Sequence, residues 1–153
     1  MSIGWFIDLD DAKEYFEHER LVTEAWDNLD NTKMNKIINQ AYNRIYHSPQ
    51  FDVPTYTDAT ATQKVKLRII NGEMVYYLAV HLADEDRRMG LRAQGVTEAG
   101  IVKEIYKDLV ELPIPPIVEE LLKAGDFTTE KAFGMVDLDR DEDKSVDEKV
   151  DDF

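Results

Sequence analysis

The chain has 153 residues, 43% of them hydrophobic and none of them cysteine, which favours one compact domain plus arms and excludes disulfides and zinc–thiolate sites. Its formal net charge of −14 opposes nucleic-acid binding, which needs basic surface to release counterions from phosphate, and opposes anionic membranes on the same ground. The charge is spread along the chain: residues 134–153 hold nine acids and three bases, net −6, and residues 1–133 hold twenty-three acids and fifteen bases, net −8.

The segment MSIGWFIDLDDAKEYF has no basic start and no long apolar run, so it does not read as a signal peptide. No stretch approaches the roughly 20 apolar residues of a membrane span. The expectation is a soluble protein, made and used in a reducing compartment inside a cell, with no membrane partner.

Residues 10–29 read as one bent helix or two short ones. Ala12, Tyr15 and Phe16 form one apolar group, and Leu21, Val22, Ala25, Trp26 and Leu29 repeat at helical spacing. The next segment, DNTKMNKIINQAYNRIYHS, carries Met34, Ile37, Ile38, Ala41, Tyr42 and Ile45 at i, i+3, i+4, i+7, i+8 and i+11, a helical face capped by Asp30 or Asn31. SPQFDVPTYTDAT, with its prolines and small polar residues, predicts a loop.

A long helix is expected over residues 59–89, roughly 45 Å at 1.5 Å per residue. One stripe is Leu67, Ile70, Met74, Tyr77 and Leu78; a second is Val65, Ile69, Gly72, Tyr76, Val80 and Ala83. Two stripes imply burial on more than one side, either as a central spine or against neighbouring copies. LRAQGVTEAG reads as a loop, IVKEIY as a short strand, and ELPIPP as extended. Pro115 and Pro116 suit a helix's first turn, after which Ile117, Val118, Leu121 and Leu122 make a short amphipathic helix closed by Gly125. An acidic arm follows. The expected fold is mainly α: a small helical bundle with one long central helix and a short strand or hairpin over residues 1–133, then an extended acidic arm over 134–153.

No nucleophile elbow, phosphate-binding loop, zinc-protease motif or dinucleotide fingerprint occurs, and His18, His47 and His81 stand alone. The chain reads as a non-enzyme with no cofactor. The arm contains DLDRDEDKSVDE, in which Asp137, Asp139, Asp141, Asp143 and Glu148 fall at calcium-loop positions 1, 3, 5, 7 and 12. Position 6, which needs glycine for its bend, is Glu142, and position 8 is Lys144 rather than an apolar residue. The following KVDDF is too short for an exiting helix. The reading is therefore a solvated acidic segment, with a calcium-binding protein as a lesser alternative. Val136, Leu138, Val146, Val150 and Phe153 supply apolar anchors by which a partner or a neighbouring copy would hold it. Basic clusters at Lys64, Lys66 and Arg68 and at Arg87, Arg88 and Arg92 are small, and acids flank the second; they read as surface charge and ion pairs.

The succession AKEYFEHERLVTEAWDN, KMNKIINQAYNRIY, VKLRIINGEMVYYLA and GVTEAGIVKEIYKDLVELPIPPIVEELL resembles the tailed-phage head–tail connector (adaptor) proteins, some of whose relatives are labelled DnaT-like single-stranded DNA-binding. Tyr15, Phe16, Trp26, Leu112, Pro113, Val118, Leu121 and Leu122 carry the likeness, which covers about residues 10–124. The resemblance implies a virion protein assembled in the bacterial cytoplasm, a closed ring of about twelve copies beneath the portal protein that links it to a downstream tail or neck protein. It also implies DNA passing through without specific binding. The alternative, from another function class, is a single-stranded DNA-binding replication protein. Interface candidates are Trp26, Tyr76, Tyr77, Arg87, Arg88, Leu121, Leu122, Val150 and Phe153, of which Trp26, Tyr76 and Tyr77 read as core or interface anchors and the two arginines as ion-pair donors to an acidic neighbouring surface.

Overall fold

The computed structural model describes residues 1–95 and 114–129, and the backbone of the strand residues 98–99 and 104–105. The architecture is mainly helical. Its elements are α1 (Leu9–His18), α2 (Glu24–Asp27), α3 (Asn31–Tyr46), α4 (Ala61–Ala93), β1 (Glu98–Ala99), β2 (Glu104–Ile105) and α5 (Pro116–Ala124). The strand expected in IVKEIY is half of a hairpin: Glu98 pairs with Ile105 and Ala99 with Glu104, antiparallel.

Helix starts follow local chemistry. Asp8 caps α1 by accepting from the Asp11 amide at 2.9 Å, and Asp11 returns a bond by accepting from the Ile7 amide at 3.0 Å. Asp30, rather than Asn31, caps α3 through the Lys33 amide at 2.8 Å. Thr60 and Gln63 form a reciprocal box at the start of α4, Thr60 Oγ1 accepting from the Gln63 amide and Gln63 Oε1 accepting from the Thr60 amide. Pro116 occupies the first turn of α5, where its missing N–H costs nothing.

α4 is the spine, packed against α1, α2, α3 and α5. Of its first stripe, Leu67, Ile70, Met74 and Leu78 are buried and Tyr77 is half-buried, and Val75, in neither stripe, is buried as well. Ile37, Ile38, Ala41 and Ile45 of α3 and Val118 and Leu122 of α5 close over it. The expected second stripe is divided. Gly72 lies under the Tyr15 ring and Tyr76 is half-buried, whereas Val65 is 64% exposed, Ile69 36% and Val80 45%. The reason is length. Thirty-three residues rise roughly 50 Å, while α1 and α2 are too short to cover more than the middle of that side.

Segments without periodicity complete the core. Ile3 and Phe6 exchange both backbone hydrogen bonds at 3.0 Å, a turn that places Gly4 at φ +57° and buries Trp5 and Phe6. A Cβ at Gly4 would stand 2.6 Å from Asn71 Oδ1, which accepts from the Trp5 amide. The Trp5 indole donates to the Pro54 carbonyl at 2.9 Å and so fastens the α3–α4 loop, whose Phe51 and Val53 are also buried. The same loop receives the chain after α5: the Asp52 amide bonds the Phe127 carbonyl at 2.8 Å, and the Thr129 amide bonds the Gln50 carbonyl at 3.2 Å.

Gly72 yields a diagnostic substitution. Gly→Ala in an exposed helix interior stabilises by about 1 kcal/mol. Here an added Cβ would stand 2.2 Å from Tyr15 Cε1, inside a packed ring. Gly72→Ala should therefore destabilise, by about 1–3 kcal/mol for overpacking, read as a lower urea midpoint. A raised midpoint would refute the Tyr15–Gly72 packing.

Candidate interaction surface

Three regions of α4 carry polar or exposed apolar side chains in defined arrangements. The first joins α1 to α4. Arg68 Nε donates to Asp11 Oδ1 at 2.8 Å, and its Nη1 also reaches Glu19. Arg20 Nε meets Glu73 Oε1 at 3.3 Å, and its guanidinium lies 3.6 Å from the centroid of the Tyr76 ring. The Tyr15 hydroxyl donates to the same Glu73 oxygen at 2.8 Å; burial, and then this bond, raise the Tyr15 pKa above its usual value. Glu73 Oε1 thus accepts from a phenol and a guanidinium at once. Of the first basic cluster, Arg68 is committed to carboxylates and Lys64 stands over the Tyr56 ring at 4.4 Å, leaving Lys66 on the surface.

The second region lies toward the C-terminal end of α4. Arg44 Nη1 and Glu85 Oε2 are 2.8 Å apart and nearly buried, and the Tyr77 hydroxyl donates to Glu85 Oε1 at 2.8 Å. Next to it, between α3 and α4, is a groove of about 350 Å³. Its apolar lining is Leu29, Ile37, Leu78, Ala79, Leu82 and Ala83, and Lys33, Lys36, Gln40 and Asp86 edge it. Lys33, Lys36 and Gln40 recur at i, i+3 and i+7 along one flank of α3. That spacing was readable in the sequence but carries no sign that a hollow lies beside it.

The third region is the outer face of α4, where Val65, Ile69 and Val80 are exposed. Leu21 (99% exposed) and Val22 lie just beyond Arg20, the residue that covers Tyr76. These apolar side chains have no covering element among the described residues.

The interface candidates divide accordingly. Of the residues read as core or interface anchors, Trp26 lies in the core, and the interface candidate Leu122 is buried with it. Trp26 is 2% exposed and stacks on Phe16 with centroids 4.2 Å apart, and Leu122 is 0% exposed, so neither presents surface to a partner. Tyr76, Tyr77 and Leu121 are half-buried against the core. Arg87 and Arg88 are exposed on the last turns of α4. Val150, Phe153 and the calcium-spaced Asp137, Asp139, Asp141, Asp143 and Glu148 lie outside the described residues. Among the described residues, no three His, Asp or Glu side chains gather as a metal site would require, and no helix is long and apolar enough to cross a membrane.

The Tyr77–Glu85–Arg44 cluster has a pH signature. Burial, and then the bond to Glu85, push the Tyr77 pKa up to about 12 from 10.0. A group whose folded pKa is raised contributes stability that is present in full below the unfolded value and lost as pH climbs through the folded one. The urea midpoint should therefore fall between pH 10 and about 12, and Tyr77→Phe should flatten that fall relative to the parent. Equal slopes for the two proteins would refute the cluster. Compared with protein-family models, with curated proteins and with solved structures, the chain matches none of them.

Proposed function

We propose that the chain is a structural subunit of a tailed-phage neck, a head–tail connector (adaptor) protein that acts by assembly rather than by catalysis. Copies meet heterologously, one surface against a different surface of the next, as a simple cyclic ring demands. The ring sits beneath the portal protein, joins it to the next neck or tail component, and lets DNA pass.

One observation carries the reading: α4 holds Val65, Ile69 and Val80 exposed on one side of a helix whose other side is packed into the core from Leu67 to Leu78. Exposed apolar side chains aligned on one rigid element suit an interface. The resemblance over residues 10–124 supplies the kind of assembly. The net charge of −14 suits a conduit for DNA, because each favourable phosphate contact would slow its passage. The internal commitment of Arg68 and Lys64 speaks against the replication reading, which needs free basic surface.

Native mass spectrometry of the chain mixed with the portal protein of its phage is the test. A complex of ring stoichiometry is expected. Ile69→Asp with Val80→Asp should abolish the complex while leaving the helical circular dichroism intact. Tight, salt-sensitive binding of single-stranded oligonucleotide with no portal complex would replace this reading by the replication one.

A further inference from the structure

The α3–α4 groove is chemically unlike the rest of an acidic molecule. Its floor is aliphatic, and the Lys33 and Lys36 ammonium groups at its edge have no ion-pair partner among the described residues. We propose that this groove is the docking site for the chain's own C-terminal segment, residues 134–153, held by charge at the two lysines and by apolar contact with Ile37, Leu78 and Leu82.

Two arguments select this occupant. The first is complementarity. The segment carries net −6 and alternates its acids with Val136, Leu138, Val146, Val150 and Phe153. A hollow with an aliphatic floor, edged by two lysines against the single Asp86, matches both properties at once, and the body as a whole, at net −8 over residues 1–133, disfavours the segment. The second is the tether. Thr129 is fixed at the C-terminal end of α3, its amide and hydroxyl both donating to the Gln50 carbonyl. Lys36 lies on that same helix, roughly 15 Å back from its C-terminal end at about 1.5 Å per residue. The chain between Thr129 and Val146 can span up to ~55 Å at ~3.3 Å per residue, so the groove is well within reach. Covalent attachment turns docking into an intramolecular event at an effective concentration in the mM range, where even a weak site fills. The inference is independent of the connector reading and stands whether or not the chain joins a portal.

Carbodiimide treatment of the full-length wild-type chain tests it, because the reagent joins ammonium and carboxylate groups already in contact. Mass spectrometry should find Lys33 or Lys36 linked to carboxylates of residues 137–152. With ¹⁴N and ¹⁵N copies mixed, the links should fall within single chains. Their yield should drop severalfold from about 0.05 M to about 0.5 M salt, as screening shortens the reach of the charges. Lys33→Glu with Lys36→Glu should retain the helical circular dichroism and raise the rate at which protease removes the segment. Absence of links from both lysines would overturn the proposal. Links found only between isotopically distinct copies would overturn it too, by assigning the groove to a neighbour's segment.

Discussion

A helix of 33 residues offers more side-chain surface than shorter neighbours can cover, and the rest of the structure distributes that shortage. Priority goes to one face. α3 and α5 close over Leu67, Ile70, Met74 and Leu78, where burial of aliphatic groups contributes most. The opposite side is covered only in its middle, by Tyr15 lying on Gly72 and by Arg20 lying on Tyr76. Beyond those two contacts the aliphatic residues Val65, Ile69 and Val80 are left to solvent.

Charged groups fasten this incomplete cover. Asp11, Glu19 and Glu73 each take a guanidinium from Arg68 or Arg20, and Glu85 takes one from Arg44. Exposed ion pairs contribute little, but these bind planar guanidinium groups across elements far apart in sequence, and at Glu73 and Glu85 a tyrosine hydroxyl backs them. They therefore orient α1 and α3 against the spine more than they stabilise it. An acidic chain has carboxylates to spare for such roles, while each buried arginine is withdrawn from any phosphate-binding surface.

Periodicity made α3 and α4 legible, because a helix that buries one face must repeat its apolar residues at 3.6 spacing. The cap at Asp30 and the prolines at the start of α5 were legible for equally local reasons, whereas the Thr60–Gln63 box came only from the structure. Trp5, Phe6, Phe51, Val53 and Phe127 were not: they lie in irregular backbone, and only the tertiary fold brings them inward. Asn71 is a polar residue on the apolar stripe of α4, with Nδ2 unpartnered among the described residues; its part in placing the Trp5 turn depends on a contact 66 residues away. Trp26 and Leu122 show why core and interface are hard to tell apart from sequence. Trp26 and Leu122 are as apolar as any interface anchor, and nothing in a sequence tells an aromatic that faces its own core from one that faces a neighbour.

The pairing of Phe51 with Thr128 also dictates an order of events. During synthesis α3 and the first turns of α4 emerge long before residues 116–129, so Leu67 and Leu78 begin life without the lid that Val118 and Leu122 later provide. The nascent protein must hold a greasy stripe open until that late hairpin-like closure spans some 77 positions of chain. Closing so distant a contact is slow relative to forming the helices themselves. Aggregation on the ribosome, or capture by a chaperone, therefore competes with maturation during one interval only, between the appearance of α4 and the arrival of α5.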